Sequence, residues 1–111
     1  MTEITLDFQP QMSRAMIAGE KICTTRRSKH GECGDTFTIS GTSGQEYTFK
    51  ILSVVKTTLK KAIEEYYELE GFKNPDEMFN FWIKAYDIQN TYQFTREYHK
   101  QPVFLHFLTP A

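Results

Sequence analysis

Residues 16–38 read M-I-A-G-E-K-I-C-T-T-R-R-S-K-H-G-E-C-G-D-T-F-T, and the reading of this stretch organises the rest of the chain. Gly19 closes a short helix, because a residue without Cβ accepts the positive φ of a helix C-cap. Residues 22–25 are dense in β-branched side chains and read as a short strand. Lys21, Thr24 and Arg26 crowd this segment beyond what strand filling needs. In an extended chain Thr24 and Arg26 share a face, and Lys21 sits at the bend where it can swing toward them. A loop containing Gly, His and Cys follows, and Gly34-Asp35 turns the chain into the alternating strand T-F-T-I-S.

Working backwards, T-E-I-T-L-D-F places Ile4, Leu6 and Phe8 on one face of a strand or of an extended arm over the core. Pro10 suits the first turn of a helix, and Met12, Ala15 and Met16 recur at helical spacing up to Gly19. Working forwards, the strand at 35–39 precedes a turn, S-G-T-S-G-Q. A long central strand covers 46–57, with a parity change near Ser53 that signals a bulge. From Leu59 the period becomes helical. Gly71 is the expected C-cap of that helix, with Phe72 as the accompanying apolar contact. Asn74-Pro75-Asp76-Glu77 combines an N-cap residue, proline at the first helical position and a glutamate three residues after the cap. The helix it starts carries Met78, Phe81, Trp82 and Ala85 on one face, with Trp82 as a core or lid residue. Residues 87–100 lack periodicity and read as a loop, with a short strand at 92–94. V-F-L-H-F-L, residues 103–108, closes the chain as a partly buried strand behind Pro102.

A length of 111 residues implies one domain, 1–111, with a modest core. Thirteen basic and 14 acidic side chains leave a formal net charge of −1, so no global field recruits polyanions. The charge is segregated, however. Residues 14–31 hold Arg14, Lys21, Arg26, Arg27 and Lys29 against Glu20, whereas residues 64–77 are acidic apart from Lys73. No basic, apolar leader pattern opens the sequence, and no window approaches the length of a membrane span. Cys23 and Cys33 are therefore expected as free thiols in a reducing cytoplasm, without a membrane partner.

A lysine beside a hydroxyl is one way to activate a weak nucleophile, given burial or a neighbouring cation such as Arg26 to lower its basicity. The candidate acids are Glu64, Glu65, Glu68 and Glu70. A carboxylate at the C-terminal end of a helix opposes the helix dipole, which singles out Glu70. Arg26, Arg27 and Lys29 are candidates to hold phosphates or a ligand. Cys23, His30 and Cys33 lack the paired spacing and fourth ligand of a zinc motif, so no metal is assigned. No cofactor motif is present either.

The run Gly19-x-Lys21-x-x-Thr24-x-Arg26 fits the G-x-K-x-x-T-x-R signature of the ASCH family, a branch of the PUA-like superfamily, and the chain resembles that family over nearly its whole length. Gly34-Asp35, the E-G-F-x-N-P junction between two helices and the closing V-F-L-H-F carry the resemblance further. It implies an α+β fold, a small PUA-like β-barrel with one short N-terminal helix and two later helices. It also implies two functional expectations. A compact bacterial branch of similar length hydrolyses the amide of N4-acetylcytidine and related N4-acylated cytosine compounds. By that motif, Lys21, Thr24 and Glu70 are the catalytic set; Arg26, Arg27 and Lys29 of the basic segment are the expected substrate-binding residues, for a small nucleoside or base. The alternative is an RNA-binding or RNA-processing module using the same basic cleft. Residues 87–100 and the aromatic second helix depart from the branch, at what would be the pocket mouth.

Overall fold

Alternation in 46–57 produces the longest strand of the fold. The computed structural model describes residues 2–111, with Met1 of the N-terminal reading outside them. The elements are α1 (Pro10–Ile17), β1 (Cys23–Arg26), β2 (Thr36–Ser40), β3 (Glu46–Thr58), α2 (Leu59–Tyr66), α3 (Pro75–Ala85), α4 (Thr91–Glu97), a 3-10 turn (Tyr98–Lys100) and β4 (Pro102–Pro110). The four strands form one antiparallel sheet in the order β1-β4-β3-β2. Register shifts between Ile51 and Ser53, so Leu52 is the bulged residue where the side-chain parity changes.

The sheet is half a barrel rather than the closed barrel implied by the resemblance, because its edge strands β1 and β2 do not pair with each other. Residues 2–9 do not form a regular strand. They run as an arm that bridges β2 at Glu3 and Thr36, with Ile4 N–H donating to the Thr36 carbonyl (2.8 Å) and Leu6 buried beneath. The arm and α1 cover one core, in which Leu6 and Met16 meet Phe37, Phe49, Ile51 and Leu108. The other face of the sheet carries Cys23, Val103 and Leu105 against Leu59, Ile63, Met78 and Trp82 of α2 and α3. Each such buried aliphatic or aromatic side chain contributes on the order of 1.5–3 kcal/mol of transfer free energy.

Local chemistry fixes the helix starts. Asn74 Oδ1 accepts from the Glu77 N–H (2.8 Å) ahead of Pro75, and Thr58 Oγ1 accepts from the Lys61 N–H (3.3 Å) at the start of α2. The later helices number three among the described residues, not two. Residues 87–100 contain α4, started by Asn90 Oδ1 accepting from the Gln93 N–H (3.0 Å), and no strand at 92–94. The helix forms because Phe94, 8 % exposed, and Tyr98 lie one turn apart and both pack on Phe79, with centroids 5.4 and 5.6 Å away.

Candidate functional site

Two glycine-closed helix ends bring the central pair of side chains together. After α1, the Gly19 N–H donates to the Met16 carbonyl (3.1 Å) and the Glu20 N–H reaches back to Ala15 (2.8 Å), with Gly19 at φ +79°. This turn directs Lys21 inward. α2 loosens into turns after Tyr66 and closes in the same way: the Gly71 N–H donates to Glu68 (3.0 Å) and the Phe72 N–H to Tyr67 (3.0 Å), with Gly71 at φ +89°. Glu70 therefore sits at a helix-like C-terminal end, the position that opposes the dipole. The two ends dock through the Leu69 carbonyl, which accepts from the N–H groups of Ile22 (2.8 Å) and Cys23 (3.1 Å).

The result is a buried ion pair. Lys21 Nζ donates to Glu70 Oε1 at 2.5 Å, and the two side chains are 3 % and 4 % exposed. Nζ also donates to the Cys23 carbonyl at 2.8 Å, leaving one of its three N–H groups for a ligand. Glu70 Oε2 accepts from Thr25 Oγ1. Thr24 is also buried, but its hydroxyl has Arg26 Nε as partner (3.2 Å) rather than Lys21. Arg26 Nη2 donates to the Asp7 carbonyl (2.8 Å), and its guanidinium lies 4.8 Å from the centroid of the Phe8 ring. Burial lowers the Arg26 pKa from its ordinary value, against the opposing pull of Tyr86, Glu70 and Asp7.

These groups line a cavity of about 230 Å³ between the outer edge of β1, the N-terminal arm and α3. Lys21, Thr24, Thr25, Arg26 and Glu70 supply its polar side, and Phe8, Phe72, Phe81, Trp82 and Tyr86 its aromatic side. Trp82 stacks on Tyr86 (4.4 Å, 25°), and the Arg27 guanidinium lies 4.1 Å from the Tyr86 centroid. A wider hollow of about 600 Å³ lies along residues 87–102, but the ionisable groups that line it, such as Asp87, Glu97 and Lys100, are exposed.

Of the residues singled out from sequence, Lys21, Thr24, Arg26 and Glu70 meet in this cavity, and Arg27 packs on its aromatic wall. Lys29 does not reach it and pairs instead with Glu32 (2.8 Å) on the exposed loop after β1. Thr25 is the partner of Glu70 that sequence reading missed. Its neighbour Thr24 carries the signature, and strand parity gives the two residues opposite faces. Cys23 and Cys33 are free thiols. Cys23 is buried in the core, where desolvation, with Glu70 adding to it, pushes its thiol well above the usual range and keeps it protonated. His106, unassigned in sequence, is fully buried behind β1. Its Nε2 accepts from the His30 N–H (3.1 Å), which leaves the proton on Nδ1, facing the carbonyls of Thr24 (3.2 Å) and Phe104 (3.1 Å).

No family model and no curated protein matches the chain. Solved structures do match. The hypothetical protein PH0355 superposes with a TM-score of 0.64 at 18 % identity, over 99 % of this chain and 98 % of that one. The ASCH domain from Lactobacillus crispatus JV V101 gives 0.62 at 15 %, over 98 % of this chain and 78 % of that one. Protein EF3133 from Enterococcus faecalis V583, assigned to DUF984, gives 0.64 at 13 %, over 99 % and 78 %. At these identities the likeness concerns the fold alone, which this chain shares distantly with an ASCH domain and a DUF984 protein.

Proposed function

We propose that this chain is a nucleobase-binding domain whose cavity beside β1 takes a single base. One observation carries the reading: a Lys21–Glu70 ion pair, 3 % and 4 % exposed, faces a cavity whose other side is aromatic. Burying such a pair is costly for folding unless its remaining hydrogen-bonding capacity is used. A planar heterocycle uses both sides of the cavity, with its ring against Trp82 and Tyr86 and its polar edge toward Lys21 and Thr25. The volume of about 230 Å³ lies below the roughly 300–1,000 Å³ of pockets for drug-sized ligands, which favours one base or nucleoside over several stacked bases.

In its wider form the reading is an RNA-binding or RNA-processing module, which needs only the fold, the pocket and the basic side chains near its mouth. Arg27 is held there by Tyr86, and Arg26 lies just inside. If Arg27 and Arg26 each meet a phosphate, the logarithm of RNA affinity falls against the logarithm of salt with a slope of about −1.4.

In its narrower form the reading is hydrolysis of the amide of N4-acetylcytidine or a related N4-acylated cytosine nucleoside. The support is the proton inventory of the cavity floor. Transfer of one proton from Lys21 Nζ to Glu70 Oε1, across 2.5 Å, converts the ion pair into an amine and a carboxylic acid. The amine then takes the proton of Thr24 Oγ1, or of a water beside it, as that oxygen adds to the acyl carbon. Arg26, already bonded to Thr24, faces the negative charge that develops. The carbon–N4 bond breaks as Glu70 gives its proton to N4, releasing the base, and water cleaves the acyl-threonine ester if Thr24 was the nucleophile. The test incubates the native and Lys21→Ala proteins with N4-acetylcytidine and, separately, with RNA over a salt series. Turnover by the native protein alone supports the narrower form. RNA binding without turnover supports the wider one, and neither activity refutes both.

A further inference from the structure

The cavity is bounded by the free edge of a sheet, and this edge carries backbone groups as well as side chains. β1 pairs only with β4, in the register Cys23↔Phe107, Thr24↔His106, Thr25↔Leu105, Arg26↔Phe104. Just before β1 the Leu108 N–H donates to the Ile22 carbonyl (2.8 Å), so by alternation the β1 residues facing β4 are Thr24 and Arg26. Cys23 and Thr25 must then aim their N–H and C=O groups away from the sheet. Cys23 does so: its N–H donates to the Leu69 carbonyl (3.1 Å) and its carbonyl accepts from Lys21 Nζ (2.8 Å). Thr25 comes next along the same edge, is 6 % exposed and lines the cavity. Its hydroxyl is engaged by Glu70, and outside the β1–β4 ladder no described residue bonds its N–H or C=O.

We propose that the backbone of Thr25 is the element of the pocket that selects the ligand, with its N–H and C=O pairing an adjacent acceptor and donor on the edge of a pyrimidine base. This deepens the nucleobase reading and rests on it. In an extended residue the N–H and C=O point the same way and lie side by side, which is how a neighbouring strand is read at a sheet edge. A cytosine ring offers the matching pair in N3 and the exocyclic N4–H. Acylation of N4 leaves one N4–H in place, so an N4-acylated cytosine keeps the pair. Buried backbone groups without partners raise the cost of an empty or mismatched pocket, and selectivity between similar rings follows from that cost.

Amide hydrogen exchange and amide chemical shifts, recorded on the free protein and on titration with cytidine and with 3-methylcytidine, test this. In the free protein the Thr25 amide should exchange much faster than those of Thr24 and Arg26. Cytidine should shift and protect it, and 3-methylcytidine, whose N3 is blocked, should bind about tenfold or more weakly. Equal protection of the three amides in the free protein overturns the proposal. So does cytidine binding that moves the Trp82 indole resonance but leaves the Thr25 amide unmoved, with 3-methylcytidine bound equally well; the nucleobase reading would survive that result. Failure of cytidine and of a short cytidine oligonucleotide to bind at all overturns both.

Discussion

Replacing Lys21 by methionine removes the ammonium from beside Glu70 and leaves a carboxylate, 4 % exposed, with the Thr25 hydroxyl as its remaining donor. Removing one member of a buried pair costs about 3–5 kcal/mol, because the surviving charge is uncompensated. Domains of this size have about 5–15 kcal/mol of stability in total, so the loss is about a fifth of it or more. Glu70→Gln strands the ammonium in the same way, although the Cys23 carbonyl still accepts from it. The double variant Lys21→Met/Glu70→Gln buries no charge and keeps an acceptor for Thr25. Its main loss is the donor to the Cys23 carbonyl, about 1–3 kcal/mol for a buried acceptor left unmade. The double variant should therefore be more stable than Lys21→Met, with a coupling of about 2 kcal/mol or more. Urea unfolding followed by the fluorescence of Trp82, the single tryptophan and 2 % exposed, measures all four corners of the cycle. Additivity within about 0.5 kcal/mol, or single variants that each cost under about 1 kcal/mol, would refute the buried pair.

Gly71→Ala should cost about 1 kcal/mol or more through its φ of +89° alone, because a Cβ there meets Ala15 Cβ and Lys21 Cβ at an ordinary 3.5 Å; an unchanged melting temperature would contradict this. Phe94→Ala should lose about 3–5 kcal/mol in urea unfolding if α4 packs as described, whereas a loop at 87–100 would lose little. His106 is held neutral in the folded protein, its pKa lowered chiefly by desolvation and further by His30 and Arg26, against the bonds to the Thr24 and Phe104 carbonyls. Below pH ~6.5 the unfolded chain takes up a proton that the folded protein refuses, so stability should fall as pH drops, by at most about 1.4 kcal/mol per pH unit for this group. His106→Asn should flatten that slope below about pH 6.5, and an unchanged slope would refute the assignment. Arg27→Ala, with Arg27 exposed and resting on Tyr86, should weaken RNA binding and reduce its salt slope by about 0.7 without unfolding the protein.

Features set by local chemistry were legible in the sequence. The Asn74-Pro75 cap, the glycine ends at 19 and 71 and the bulge beside Ser53 each follow from a residue and its immediate neighbours. α4 was not legible, because seven residues make under two turns and leave little period to detect. Closure of the sheet was not legible either, since alternation tells which face a residue takes but not which edge finds a partner. The same limit hid Thr25. Parity assigns Thr24 and Thr25 to opposite faces, yet at a free edge a cavity receives side chains from both, and the backbone between them. Lys21 and Glu70 lie 49 positions apart, and their contact depends on Leu69 docking beside Ile22 and Cys23, a long-range event with no local signature.

In the proposed reading, one base occupies the cavity between the Lys21–Glu70 pair and the Trp82–Tyr86 stack. The decisive experiment titrates N4-acetylcytidine into the protein while recording Trp82 fluorescence, with the Lys21→Met/Glu70→Gln protein as the folded comparison. A base held there should give a saturable change in the native protein that is lost or strongly weakened in the double variant. No change in the native protein, or the same titration curve in both, would contradict it.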